Sequence, residues 1–116
     1  MLPNRIRISK KATDTLAMIK SRTGITPNIL CRLAIAHALG VCSLKKRVGS
    51  KQDGQEFNTG TLLGEHADTY AMLIRQQVQD AELGQVVAQL VDDGMGLFSG
   101  VGSLSDLFEK CKEKVA

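Results

Sequence analysis

Aromatic residues are scarce in this sequence. Only 3% of its 116 residues are Phe or Tyr, and Trp is absent. The core must therefore be aliphatic, which favours packed helices over an aromatic-rich β-sandwich. A chain of this length buries one modest core, so we expect a single domain, residues 1–116.

Cysteine is also scarce, and its spacing matches no common metal site. Cys31, Cys42 and Cys111 are widely separated, no CxxC occurs, and His37 and His66 complete no zinc spacing. We interpret the cysteines as buried, reduced thiols; sulfur transfer or redox work at one of them is the alternative. The sequence predicts neither a metal nor a cofactor.

Long apolar runs are missing as well. None approaches the roughly 20 residues that span a bilayer. The start, MLPNRIRISKK, has no apolar core followed by a small-residue cleavage site. We expect no membrane contact and a cytoplasmic location.

What the sequence does contain is an uneven distribution of charge. Residues 1–51 contain eleven Lys and Arg but only one acidic residue, Asp14, which gives a net charge of +10. From Gln52 onward the chain contains four Lys and Arg and eleven acidic residues, which gives a net charge of −7. This pattern predicts a basic half (1–51) for a polyanion, and an acidic half (52–116) that limits indiscriminate binding or contacts a basic protein. In the alternative, the halves neutralise each other across the fold.

The basic half has the pattern of a strand followed by two helices. Alternation from Leu2 to Ile8 places Arg5 and Arg7 on one strand face. Ser9 is the predicted N-cap of a helix over residues 10–23, which ends at Gly24. A second helix, residues 26–39, begins at Thr26-Pro27 and ends before Gly40. The fold class is thus mainly α: a small helical domain with a short N-terminal strand.

This order, with arginines on the strand, is that of a ribbon-helix-helix module, in which two chains pair their strands and the ribbon enters the major groove. The alternative is a lone strand with the helices packed differently. The start of the second helix would point free N–H groups at a phosphate. Because that helix is apolar on nearly every side, we expect burial against another subunit, and hence a homo-oligomer.

The acidic half predicts three further helices, over residues 65–79, 83–92 and 103–114, after a turn-rich segment with a short hairpin near Asn58. The run GMGLFSGVG (Gly94 to Gly102) matches no nucleotide-binding loop, so we expect a flexible linker or turn.

Asp92 and Asp93 are predicted to face solvent rather than a metal, and His37 to be a buried histidine. No nucleophile, base and orienting group form a set, so we expect no enzyme.

The candidate DNA-binding residues are cations of the basic half together with two polar residues at the start of the second helix. They are Arg5, Arg7, Lys10, Lys11, Lys20, Arg22, Thr26, Asn28, Lys45, Lys46, Arg47 and Lys51.

Two runs, SRTGITPNILCRLAIAHAL (Ser21 to Leu39) and FNTGTLLGEH (Phe57 to His66), resemble the DndE family of DNA sulfur-modification proteins. The likeness covers almost the whole chain. It implies a mainly helical accessory subunit of DNA phosphorothioation, in which sulfur replaces a non-bridging phosphate oxygen. It also implies a DNA-binding homo-oligomer, with a tetramer as one such assembly, that prefers nicked duplex. A cysteine desulfurase, an iron–sulfur partner and an ATPase-like component would supply the chemistry.

The leading hypothesis is an accessory subunit that binds duplex DNA, including nicked duplex, through its phosphate backbone. Two alternatives remain open. One is a protein–protein adaptor that docks the other sulfur-modification subunits without binding DNA, and the other is a DNA-nicking enzyme.

Overall fold

The chain folds into helices arranged around a two-stranded antiparallel sheet. The computed structural model describes residues 3–41, 52–77, 82–98 and 100–115. The elements are β1 (Arg5–Arg7), α1 (Lys10–Thr23), α2 (Pro27–Val41), β2 (Glu56–Asn58), α3 (Thr59–Leu63), α4 (Ala67–Gln77), α5 (Leu83–Gly94) and α6 (Leu104–Val115), with 3-10 turns at Gly64–His66 and Met95–Phe98. The mainly helical prediction is confirmed. Among the described residues, no helix has the length and apolar character needed to cross a membrane.

Helix α1 begins and ends where local sequence signals place it. The Ser9 hydroxyl oxygen accepts a hydrogen bond from the Ala12 N–H at 3.0 Å, which satisfies one of the free donors of the first turn. At the other end Gly24 adopts the left-handed conformation (φ 79°), and its N–H donates to the Lys20 carbonyl. Leu16 and Ile19 are fully buried, as their helical spacing predicts.

The N-terminal strand finds its partner within the same chain. β1 pairs antiparallel with β2, and Ile6 lies opposite Phe57. These two side chains are buried on the inner face of the sheet. The ribbon-helix-helix hypothesis pairs β1 with the strand of a second chain, whereas β2 lies about 50 residues further along the same chain, where a hairpin near Asn58 was expected. Instead, the Asn58 carboxamide oxygen accepts hydrogen bonds from the N–H groups at the start of α3.

Helix α2 is covered mainly by α5 and also contacts α1 and α3. Its residues Leu30, Ala34, Ile35 and Ala38 are completely buried. The expectation that α2 is buried against another subunit was wrong for these residues, because α5 of the same chain covers them, and the homo-oligomer itself stays a prediction. The predicted end of the helix was also wrong: Gly40 lies inside α2, which continues to Val41.

The last residue of α5 allows it to approach the backbone of α2 closely. A Cβ atom placed on Gly94 would overlap the carbonyl group and Cα of Ala34. Only glycine fits such a contact without a shift of the backbone. Gly94 thereby sets the separation of the two most buried helices.

The connection after α5 is part of the core. Residues Met95–Phe98 form a 3-10 turn in which Leu97 and Phe98 are buried, and Val101 is buried beyond it. Of the predicted flexible linker or turn over Gly94 to Gly102, the structure shows a turn at Met95–Phe98, and this turn is packed into the core. Removal of large apolar side chains from water is favourable, so this connection packs into the core instead of remaining in solvent.

We expect Gly94→Ala to destabilise the protein by about 3 kcal/mol, because the added methyl group would push α5 away from α2. Urea unfolding followed by circular dichroism measures the change. The control is Gly96→Ala, since a Cβ on Gly96 meets nothing within 4 Å. Equal stability of the two variants would contradict the close contact.

Candidate nucleic-acid interface

The first turn of α1 carries an exposed pair of cations. Lys10 and Lys11 both point into solvent, and this turn contains no acidic residue. Cations at a helix start oppose the helix dipole and cost some stability. Asp53 offsets part of this cost, because its carboxylate accepts a hydrogen bond from the Lys10 N–H at 2.8 Å. Apart from that contact, the two lysines add their charge to the positive end of the helix.

The last turn of α1 carries a second pair. Lys20 and Arg22 are exposed, and the Arg22 guanidinium also donates to the Val101 carbonyl at 3.2 Å. Lys11 and Arg22 are three helical turns apart, so they lie on one stripe of α1, about 16 Å from end to end. α1 thus offers two exposed cations on one side, whereas Lys20, nine residues after Lys11, lies on the opposite side of the helix.

The two arginines of β1 are less available to bind a ligand than their positions in the sequence suggest. Arg5 and Arg7 lie on the exposed face of the sheet, and both contact the carboxylate of Glu56, at 3.0 and 3.3 Å. Arg7 also donates to the Gly54 carbonyl at 2.8 Å. Two guanidinium groups therefore share one negative charge, which leaves about one positive charge for a ligand. Such exposed pairs are weak, at about 0–1 kcal/mol, so a phosphate could compete with Glu56.

The predicted phosphate-facing helix start lies in the turn between α1 and α2. Thr26 is exposed and precedes Pro27, and its carbonyl accepts from the Leu30 N–H. Asn28, in the first turn, is half-buried. Lys20 and Arg22 lie four and two residues before Gly24, in the last turn of α1, and so precede this helix start in the chain.

The side chain of Arg32 forms hydrogen bonds within the chain. Its guanidinium donates to the carbonyls of Leu62 and Thr61, at 2.6 and 2.9 Å. These carbonyls lie in the last turn of α3, where a cation is favoured by the helix dipole. Arg32 thus joins α2 to α3.

The two adjacent acids at the end of α5 take part in hydrogen bonds. Asp92 accepts from the Ser9 hydroxyl at 2.6 Å, and Asp93 accepts from the Gln89 amide at 2.8 Å. Both acids are half-buried, so the prediction that they face solvent was wrong. Within the described ranges, no group of three or more His, Cys, Asp or Glu side chains is placed to hold a metal ion.

The remaining predicted cations, Lys45, Lys46, Arg47 and Lys51, lie outside the described residues, as does Cys42. Of the predicted contacts, the structure brings Arg5 and Arg7 together on the sheet and arranges Lys10, Lys11, Lys20 and Arg22 along α1. The sequence did not predict that Glu56 pairs with Arg5 and Arg7. No local signal could reveal it, because Glu56 follows Arg7 by 49 residues.

Cys31 lies on the buried face of α2 and has no exposed surface. Burial disfavours the charged thiolate and raises the pKa of Cys31 to about 12. The thiolate is the reactive form of cysteine. Cys31 therefore behaves as an inert core residue, as the sequence predicts.

We expect Cys31 to resist alkylation by iodoacetamide in the native protein at mildly alkaline pH and to react fully in denaturant. Its raised pKa keeps the thiol protonated until the pH nears about 12. Mass spectrometry of the peptide that contains Cys31 distinguishes it from the other cysteines. Rapid native labelling at Cys31 would show that the core opens around α2.

Known proteins share both the sequence pattern and the fold. The family described as DNA sulphur modification protein DndE matches residues 5–105. A crystal structure of DndE from Escherichia coli B7A, described as involved in DNA phosphorothioation modification, is 32% identical with a TM-score of 0.73, and the match covers 82% of this chain and 97% of that one. The chain matches no curated protein.

A second crystal structure is that of a DndE mutant in which two glycines are replaced by lysine, also described as involved in DNA phosphorothioation. It is 29% identical with a TM-score of 0.72, and the match covers 83% of this chain and 97% of that one. The family match spans well over half of the sequence, and the fold agrees over nearly the full length of both solved structures. The chain belongs to the DndE family of DNA sulfur-modification proteins.

Proposed function

We propose that this chain is the DNA-binding accessory subunit of a cytoplasmic DNA phosphorothioation system, and that it contacts duplex DNA, including nicked duplex, through the phosphate backbone. The observation that carries the proposal is that the four cations of α1, Lys10, Lys11, Lys20 and Arg22, are all exposed, and that Lys11 and Arg22 share one side of the helix. Lysine and arginine side chains that contact phosphates supply affinity without sequence preference. Membership of the DndE family supplies the pathway.

The proposed role is that of a non-catalytic, homo-oligomeric subunit, with a tetramer as one such assembly. Its partners would be the iron–sulfur and ATPase-like components that carry out the sulfur chemistry. A ribbon-helix-helix contact would insert β1 into the major groove. We favour backbone contacts by α1, because Glu56 holds the guanidinium groups of Arg5 and Arg7 on the face that would read bases.

A protein–protein adaptor is the second candidate function. It is favoured by the carboxylates that already occupy part of the basic surface, Glu56 on the sheet and Asp53 at the start of α1. An adaptor without DNA affinity would shift neither intact nor nicked duplex in a gel-shift experiment. A nicking enzyme would convert supercoiled plasmid in the presence of Mg²⁺, and we expect no conversion.

We expect Lys10/Lys11/Lys20→Ala to weaken binding of both intact and nicked duplex and to make the dependence of log K on log[salt] shallower by about 2.7, since each lost phosphate contact removes about 0.9. Fluorescence anisotropy across a salt series measures both effects. The matched control is Lys110/Lys112/Lys114→Ala, which removes the same formal charge from the acidic half. If the two triple variants weaken DNA binding equally, the effect comes from the change in net charge and not from contacts made by α1.

We expect Glu56→Gln to tighten DNA binding and steepen its salt dependence, because Arg5 and Arg7 lose a competing carboxylate at 3.0 and 3.3 Å. The same anisotropy titration reports the change. Glu65→Gln is the control, because it removes the same charge from a highly exposed side chain of the 3-10 turn before α4. If both variants bind DNA alike, the sheet arginines do not contact it.

A further inference from the structure

A groove of about 680 Å³ lies between α1 and the 3-10 turn that follows α5, and we call it the α1 groove. Lys11, Thr15 and Met18 line it from α1, and Met95 and Phe98 line it from the turn. Phe98 is buried and Met95 is half-buried, whereas Met18 is 42% exposed. A ligand in the groove would therefore meet the Met18 side chain directly.

The α1 residues of the groove belong to one stripe of the helix, which has a cation at each end. Spacings of four, three and four residues lead from Lys11 through Thr15 and Met18 to Arg22. A DNA strand carries a phosphate at every nucleotide, and cations position a protein on it through these phosphates. A strand held by Lys11 and Arg22 would therefore pass its backbone over Met18, which lies between them.

The described segment that enters β2 contacts α1 on a different side. The Gln55 N–H donates to the Thr13 hydroxyl oxygen at 2.8 Å. Thr13 follows Lys11 by two residues and is therefore roughly 200° around the helix from it. This contact leaves the stripe that contains Met18 uncovered.

The charged side chains that line the α1 groove balance each other. Lys11 supplies one positive charge, and Asp92, at the end of α5, supplies one negative charge. The Asp92 carboxylate is half-buried and accepts a hydrogen bond from the Ser9 hydroxyl at 2.6 Å. The described lining of the groove thus has no net charge, so it cannot select among anionic ligands by charge alone.

What distinguishes the α1 groove is its sulfur. Two of the four methionines of the chain, Met18 and Met95, line it. Thioethers are polarizable and adaptable, and they make favourable contacts with other soft groups. Exchange of a non-bridging phosphate oxygen for sulfur leaves the charge of a DNA backbone unchanged but introduces a larger, more polarizable atom. Dispersion contacts with a thioether respond to this difference, whereas a cation responds mainly to charge.

We propose that the α1 groove binds the sulfur atom of a phosphorothioate in a DNA strand held by Lys11 and Arg22, with Met18 and Met95 in contact with that sulfur. The inference rests on the proposed function and adds to it a preference for modified DNA over unmodified DNA. A subunit with this preference would remain on a duplex, or return to it, after sulfur has been incorporated.

Fluorescence anisotropy with two duplexes of one sequence, of which one carries a single phosphorothioate, tests the preference. We expect the wild type to bind the modified duplex about three- to tenfold more tightly, the range of a few soft contacts. The phosphorus of a phosphorothioate is a stereocentre, so the Rp and Sp duplexes direct sulfur differently. A fixed groove should favour one of the two.

We expect Met18→Gln to abolish the preference, because glutamine has a similar length but no thioether. Its dissociation constant for the unmodified duplex should stay within about twofold of the wild-type value, as for most surface substitutions. Met72→Gln is the matched control, since Met72 is 63% exposed on α4 and does not line the groove. This variant should keep the preference. Circular dichroism should show that both variants melt like the wild type.

Equal binding of modified and unmodified duplex by the wild type would overturn the inference and leave the proposed function intact. Retention of the preference by Met18→Gln, or its loss in both variants, would overturn the assignment to the α1 groove. An equal gain for the Rp and Sp duplexes would overturn a fixed site, because it would reflect a general effect of sulfur on the DNA. Failure to bind either duplex at low salt would reject the proposed function and this inference together.

Discussion

The close packing of α2 against α5 is the contact on which the other elements depend. α2 is buried along most of its length, and Gly94 lets the end of α5 approach the backbone of Ala34. Because this separation is fixed, α5 can also support β1, and the turn after α5 can bury Phe98 beside α1. The same packing removes Cys31 from solvent and raises its pKa, which makes an α2 thiol unsuitable for sulfur transfer.

The basic character of the chain is modified by tertiary contacts. The first 51 residues hold eleven cations, yet the cations do not contribute equally to the surface. Arg32 is used to hold α3, and Arg5 and Arg7 share the carboxylate of Glu56. The lysines of α1 keep their charge exposed. A polyanion would therefore meet α1 more readily than the sheet, which is why we assign the DNA contacts to backbone phosphates along this helix.

Local signals in the sequence determined the parts of the fold that depend on neighbouring residues. Ser9 and Gly24 delimit α1 through hydrogen bonds within its own turns, and the 3.6-residue period selects Leu16 and Ile19 for the core. The runs Ser21 to Leu39 and Phe57 to His66 were sufficient to indicate the DndE family, which the family match and the solved structures confirm. Only the tertiary structure decided the pairing of β1 with β2, the cover of α2 by α5 and the capture of Arg5 and Arg7 by Glu56. Each of these joins residues far apart in the chain, and neither spacing nor composition specifies which distant groups the packing brings within contact.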